Sequence, residues 1–225
     1  MIGNAFTSRL ASELTDGWLV TARASQLPPL GGWSIWMLLA GRGFGKTRVL
    51  SETANSWAIS GTCRRLALVA ATAADARDVM VEGESGILAT APPWCQPEYQ
   101  ATRRRLTWPN GALAFCYSAE EPERLRGPQH DGALCDELSS WRDPSTWDML
   151  QFGLRLGKHP RVVIATTPRP TRLVRQLLAR EGRDVVVTRG TTYENRANLA
   201  PGFFESIVSR YEGTRLGRQE LNAEV

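Results

Sequence analysis

Trp36-Met-Leu-Leu-Ala-Gly-Arg-Gly-Phe-Gly-Lys-Thr47 decides how the rest of the 225-residue chain is read. The apolar run Ile35 to Ala40 leads directly into Gly41-Arg42-Gly43-Phe44-Gly45-Lys46-Thr47, and a helix-compatible segment, Arg48 to Ile59, follows. Strand, glycine-rich loop, Lys-Thr and helix is the layout of a phosphate-binding P-loop. Glycine reaches backbone angles closed to other residues, so consecutive N–H groups from Gly41 through Gly45 can turn inward around phosphate oxygens. The helix N-terminus adds partial positive charge at the same spot. In this reading Lys46 reaches the β- and γ-phosphates and the Thr47 hydroxyl holds Mg²⁺. Ala40 stands where the usual pattern has its first Gly. The chain contains only two lysines, Lys46 and Lys158, against 25 arginines. A compact ammonium fits between phosphates where a guanidinium fork would not, which gives a chemical reason for Lys at this position. The bland alternative is a Gly-rich turn before a helix.

Bulk composition sets the frame. The chain is 42% hydrophobic and 22% charged, ordinary values for one globular domain or one domain with a small appendage. No apolar run approaches the roughly 18 residues of a membrane span, and the N-terminus lacks a basic-then-apolar signal pattern, so a cytoplasmic protein is expected. Cys63, Cys95, Cys116 and Cys135 form no CxxC pair; Cys116 and Cys135 lie in apolar runs and read as small core residues. The net charge of +4 is uneven: residues 155–218 hold 12 arginines and Lys158 against five acidic residues, a local balance of +8. Such a face suits a polyanion, with nucleic acid the first candidate, or else is a solvated Arg-rich surface.

Periodicity supplies the rest of the architecture. Asn4 to Arg23 carries Phe6, Leu10, Leu14 and Trp18 at near-helical spacing, and Leu27-Pro-Pro-Leu30-Gly-Gly32 is an extended connection no helix would cross. Trp18, Arg23 and Gln26 precede the P-loop strand, where many P-loop motors read the adenine; Trp18 would suit a core equally well. Arg65 to Thr72 is a buried-strand pattern and Ala73 to Glu82 a helix, the βαβ signature of a parallel sheet. Arg103 to Trp108 and Ala112 to Tyr117 flank Pro109-Asn-Gly111 and predict a β-hairpin, with Arg103 to Arg105 read as charge that protects a sheet edge. Pro144 to Leu156 and Thr171 to Arg180 are amphipathic helices, Arg161 to Pro168 and Asp184 to Thr188 strands. Thr191 to Asn198 reads as polar loop, Pro201 to Tyr211 as a helix with one apolar stripe, and the remainder as a polar tail without an evident cap.

Gly132-Ala-Leu-Cys-Asp-Glu137 is the second key constellation: a buried strand ending in two carboxylates. Beside a P-loop, Asp136 can hold Mg²⁺ and Glu137 can polarise the attacking water. Thr166 and Thr167, at the end of another strand, can sense the γ-phosphate or can be satisfied by local backbone bonds.

Together these motifs resemble the ATPase half of the large terminase subunit, the DNA-packaging motor of tailed phages, over nearly the whole chain. Ala40 to Thr47 is similar to that family's Walker A variant, Leu125-Arg-Gly-Pro-Gln129 before Cys135-Asp-Glu137 resembles its Arg-Gly element and Walker B, and Ile164 to Pro168 resembles its coupling motif. The opening around Gln26-Leu-Pro-Pro29 looks like the alphaproteobacterial prophage and gene-transfer-agent branch. The resemblance implies an α/β P-loop NTPase of the additional-strand catalytic-glutamate type: a five-strand parallel core, an added hairpin and a small C-terminal lid subdomain. It implies an ATPase core over 1–195 and a lid over 196–225. It also implies ATP and Mg²⁺ as cofactors, and hydrolysis driving double-stranded DNA into a capsid. The implied partners are portal protein, the small terminase subunit and a homo-oligomeric ring, in the bacterial host cytoplasm. Carried over by position, Asp136 and Thr47 serve the metal, Glu137 the water, and Thr166 and Thr167 the coupling. Arg42 and Arg126 are rivals for the arginine that completes a site, with Arg126 favoured as the trans-acting one. Arg169, Arg172 and Arg175 are the expected DNA contacts. The family's C-terminal nuclease is expected to be absent. A helicase, another DNA-dependent ATPase, or a nucleotide-gated DNA- or portal-binding adaptor with negligible turnover are the competing readings.

Overall fold

The computed structural model of the chain describes residues 17–224. Phe6, Leu10 and Leu14 of the expected N-terminal helix lie outside the described residues. The chain divides into two compact units at Leu30/Gly31. In the first, the described residues form a helical turn, Trp18–Thr21, and a 3-10 turn, Ala24–Gln26.

The second unit is built on one eight-stranded sheet. Its strands are β1 (Ile35–Ala40), β2 (Arg65–Ala70), β3 (Glu98–Gln100), β4 (Arg105–Thr107), β5 (Leu113–Ser118), β6 (Gly132–Asp136), β7 (Arg161–Thr166) and β8 (Val185–Gly190), in the order β3-β4-β5-β2-β6-β7-β1-β8. Six strands, β5 to β8 in that order, run parallel, one more than the five-strand core the resemblance implies. β5 is the reason for part of the difference. Its one edge makes the expected hairpin with β4, and its other edge pairs in parallel with β2. The hairpin turn closes where Gly111 takes φ 82°. β3 lies beyond β4 and is the actual sheet edge.

Both faces of the parallel strands are covered, which is why β1 is buried at every position and reads as a continuous apolar run. Alternate residues Ile35, Met37 and Leu39 join Ala133, Cys135, Val162, Ile164 and Val185 in one core. That core is capped by Trp147 and Leu150 of α2 (Ser145–Gly153) and by Val174 and Leu177 of α3 (Arg172–Leu178). Helix α1 (Lys46–Ser60) packs on the other face against β6 and β7. Asn55 of α1 is buried and fully used: its amide donates to the Ile87 carbonyl (3.1 Å) and Thr90 Oγ1 (2.9 Å), and its oxygen accepts from Trp108 Nε1 (3.0 Å). One polar side chain thus ties α1 to the hairpin. The Ala73–Glu82 helix forms, but residues Ala76–Val81 are wound as π-helix. The polar tail expected after Tyr211 contains α4 (Arg215–Glu220), whose start is capped by Thr214 Oγ1 accepting from the Gly217 N–H.

All four cysteines are buried, and desolvation holds Cys63 and Cys116 up at about 12, so these thiols stay protonated and packed. Among the described residues no helix is long and apolar enough to cross a membrane.

His130 lies two residues before β6 and is 1% exposed, with neither ring nitrogen hydrogen-bonded; Tyr117 meets its ring edge-on at 5.5 Å and Phe115 lies at 6.3 Å. Burial first, and the Arg65 charge second, push its pKa down to about 4. A base depressed in the folded state is neutral there while the unfolded chain takes up a proton below about 6.5, so stability falls as pH drops from about 6.5 to about 4. The expected loss from this residue between pH 7 and 5 is about 2 kcal/mol. Urea unfolding of His130→Leu at the two pH values should show a pH-dependent loss smaller by about that amount; an unchanged loss would show that His130 does not titrate this way.

Candidate active site

Parallel strands deliver their C-terminal ends to one edge, and the chemistry-bearing residues follow three adjacent strands there. The P-loop follows β1, Asp136-Glu137 ends β6, and Thr166-Thr167 ends β7, which lies between the other two. β7 is thus the additional strand between the loop strand and the carboxylate strand.

Gly43 (φ 70°) and Gly45 (φ 95°) take left-handed angles, and Gly45 is the residue from which α1 starts. The Lys46 ammonium donates to the carbonyls of Ala40 (2.9 Å) and Gly41 (3.1 Å) and lies 3.6 Å from Glu137 Oε1. Thr47 sits one residue further along the first turn of α1. Phe44 is fully buried and packs on Gly190 of β8, where a Cβ would come within 2.1 Å of the ring. Of Phe44, then, only the backbone N–H serves the loop; the side chain anchors it.

Glu137 has left-handed angles (φ 45°, ψ 49°), uncommon for a non-glycine residue and a strain of about 1–3 kcal/mol that active sites often hold. That turn takes its side chain off the strand line. Thr167 then fixes it: the hydroxyl lies 2.9 and 3.0 Å from the two carboxylate oxygens, and the Thr167 N–H donates to Oε2 at 3.2 Å. The two threonines divide the work. Thr166 Oγ1 accepts from the Ser139 N–H (3.0 Å), fixing the chain just after Glu137, while Thr167 alone holds the carboxylate.

Asp136 is 7% exposed, and burial first, then the Glu137 charge, raise its pKa to about 7; Lys46 opposes this and Asp75 adds to it. Asp75 is a residue the sequence reading missed. It follows β2 and is fixed by a reciprocal cap in which its carboxylate accepts from the Thr72 N–H (3.1 Å) and Oγ1 (2.8 Å). The Thr-x-x-Asp spacing of Thr72 and Asp75 was the available signal.

Other expected residues lie elsewhere. Arg42 points to the C-terminal segment, where Nε pairs with Glu220 Oε2 at 2.9 Å. Arg126 is exposed and pairs with Glu123 at 3.3 Å. Arg169, Arg172 and Arg175 are exposed and carry no ion pair among the described residues, whereas Arg180, Arg189 and Arg218 are paired. Arg104 pairs with Glu121, and Arg105 donates to Gln100 Oε1 (2.9 Å). Trp18, Arg23 and Gln26 belong to the N-terminal unit, where the Arg23 N–H donates to Gln26 Oε1 at 3.1 Å.

Strand order, loop and carboxylate pair define a P-loop NTPase with an additional strand. Residues 37–225 match the family described as terminase large subunit, T4likevirus-type, N-terminal, and the chain belongs to that family. No curated protein sequence matches it. Among solved structures it is similar to the large terminase ATPase domain of Thermus phage P74-26, at 16% identity and a TM-score of 0.69, over 93% of this chain and 97% of that one. It is also similar to the large terminase of a thermophilic bacteriophage in complex with ADP, at 16% identity and a TM-score of 0.71, over 95% of this chain and 52% of that one. The N-terminal domain of the DNA packaging ATPase from bacteriophage phi29 shares 14% identity at a TM-score of 0.50, over 70% of this chain and 90% of that one. At these identities the likeness establishes the fold. The chain spans about half of the ADP-bound large terminase.

An acid whose folded pKa is raised stabilises the fold fully below its unfolded pKa, near 3.8, and that contribution is lost as pH rises through about 7. Asp136→Asn, which keeps shape without charge, should therefore melt a few degrees higher than wild type at pH 8 without nucleotide or metal, with a clearly smaller gain at pH 5. Equal melting temperatures at pH 8 would show that Asp136 is not strained by its charge.

Proposed function

We propose that this chain binds ATP with Mg²⁺ at the P-loop edge, hydrolyses it, and uses the hydrolysis to move double-stranded DNA into a capsid. The observation that carries the reading is the approach of Lys46 Nζ to Glu137 Oε1 at 3.6 Å, with buried Asp136 adjacent and Thr167 holding the glutamate. An ammonium for phosphate and an oriented carboxylate for water are the two groups hydrolysis requires in one place. The thermophilic-phage large terminase structures in complex with ADP and with ATP-gamma-S support nucleotide as the ligand.

The geometry supports the following residue roles. Loop N–H groups and Lys46 bind the phosphates. Asp136 and the Thr47 hydroxyl are hard oxygen donors suited to Mg²⁺, which takes one or two protein ligands and fills its octahedron with water and phosphate oxygens. Mg²⁺ would supply charge neutralisation on the phosphates. Glu137 accepts a hydrogen bond from the attacking water and takes its proton as the water oxygen bonds to the γ-phosphorus. The bond to the β-phosphate oxygen breaks, leaving ADP and inorganic phosphate. Thr167 keeps Glu137 aimed and, being one peptide from β7, links the state of that carboxylate to the strand. Arg126 is assigned to a neighbouring subunit's site in a ring on the portal, with the small terminase subunit a further partner. Arg169, Arg172 and Arg175 are assigned to DNA phosphates. The core spans 1–195 and the lid 196–225.

ATP hydrolysis should depend on Mg²⁺ and rise with blunt duplex DNA without strand separation. Glu137→Gln should lower kcat by about 10²–10⁴-fold while nucleotide still binds, and Lys46→Ala should lose nucleotide binding. Equal, slow hydrolysis by wild type and Glu137→Gln with DNA present would sink the reading in favour of an adaptor, and unwinding of a forked duplex would favour a helicase.

The trans role has its own test. Arg126→Ala and Glu137→Gln, each inactive alone, should recover part of the rate when mixed under assembly conditions, because each supplies what the other lacks. Failure to recover in demonstrated mixed oligomers would place Arg126 outside the neighbour's site.

A further inference from the structure

Thr192 and Asn195 lie in the segment Thr192–Asn198, which reads in sequence as polar loop. In the structure this segment straps the outside of the P-loop. Thr192 is fully buried; its hydroxyl donates to the Arg42 carbonyl at 2.7 Å and its N–H to the Leu221 carbonyl at 2.8 Å. The Asn195 amide donates to the Gly43 carbonyl at 2.6 Å, and Asn198 donates to the Asn195 oxygen at 2.9 Å, which fixes which end of the amide faces the loop. The Arg42 N–H donates to the Glu220 carbonyl at 2.8 Å. The fit is close: a Cβ on Gly41 would stand 2.7 Å from both Thr192 Oγ1 and the Glu220 carbonyl.

A trans peptide is planar, with its C=O and the following N–H on opposite sides. Fixing the Arg42 carbonyl outward therefore turns the Gly43 N–H to the loop's inner side, and fixing the Gly43 carbonyl holds the next peptide, whose Phe44 N–H closes the loop on the Gly41 carbonyl at 3.4 Å. An inward N–H in a loop held in shape is what a phosphate needs. Without outside donors the glycine-flanked peptides are free to flip, and the ordering cost would fall on the ligand.

We propose that Thr192 and Asn195 are positioning residues for the phosphates of a nucleoside triphosphate, acting by holding the outer carbonyls of the P-loop. The proposal rests on the reading of that loop as the nucleotide site.

The test is binding of ADP and of a non-hydrolysable ATP analogue with Mg²⁺, measured by calorimetry, alongside KM and kcat for ATP. Thr192→Val keeps the shape and removes the donor; Asn195→Asp places a carboxylate against the Gly43 carbonyl. Each should weaken binding and raise KM about five- to tenfold, the worth of about one hydrogen bond, with kcat changed less than twofold. Thr192→Ser should restore wild-type binding, which a merely structural role for the side chain would not require. The Asn195 site is partly exposed, so its variant keeps the proposal testable if Thr192→Val fails to fold. Wild type binding while Lys46→Ala does not, with Thr192→Val and Asn195→Asp within twofold of wild type, overturns the proposal and leaves the nucleotide reading standing. Wild type failing to bind removes the nucleotide reading and the proposal with it.

Discussion

The site depends on where β7 lies. Inserted between β1 and β6, it separates the P-loop strand from the carboxylate strand by one strand spacing on each side. That separation sets the Lys46 ammonium 3.6 Å from Glu137 Oε1 across the edge, an ion pair that an arriving phosphate would have to open. The residue that follows β7, Thr167, is the group that holds Glu137. The left-handed backbone at Glu137 is tied to the same strand: its N–H donates to the Ala165 carbonyl at 2.8 Å, so the chain stays paired to β7 for one residue beyond β6 before turning. A small energetic cost at one residue is offset by continued pairing and by a carboxylate aimed across the edge.

Charge at that edge is unbalanced. Asp136 is pushed up to about 7 by burial first and by the Glu137 charge second, with Asp75 adding to this and the Lys46 ammonium opposing it. A nucleotide alone would add negative charge beside a carboxylate already held back from ionising. Charge balance therefore favours phosphate arriving together with a divalent cation, for which Asp136 and Thr47 are suitable donors.

Most of the fold was legible because its signals are local. Apolar runs marked β1, β2, β6 and β7, and the P-loop glycines, Asp136-Glu137 and Thr166-Thr167 announced the edge they share. What was not legible depends on contacts distant in sequence. Nothing in Leu113 to Ser118 shows that a hairpin arm also pairs with β2. Nothing in Thr191 to Asn198 shows that its polar side chains meet loop carbonyls some 150 residues earlier, because polar residues in a loop satisfy water equally well. Phe44 read only as a member of the phosphate loop; the packing of its ring on Gly190 depends on β8, almost 150 residues away. The division of labour between Thr166 and Thr167 is a matter of strand pleat and peptide direction, which adjacent identical residues cannot display.

The same geometry separates the two arginine rivals. An arginine that acts on phosphate must first leave the partner that holds it. Among the described residues Arg126 pairs only with Glu123, both side chains about three-quarters exposed, and exposed pairs of this kind hold a side chain by about 0–1 kcal/mol. Arg42 is held more firmly. Its guanidinium meets a Glu220 side chain only 14% exposed, and its own N–H bonds the Glu220 carbonyl, so side chain and backbone are anchored to one residue of α4. Moving Arg42 onto phosphate would strand a largely buried carboxylate and loosen the strap on the P-loop at the moment the loop must be ordered. Moving Arg126 disturbs nothing at the edge. The balance of these costs leaves Arg42 as part of the loop's outer support and favours Arg126 over Arg42 for the proposed role at a neighbouring site.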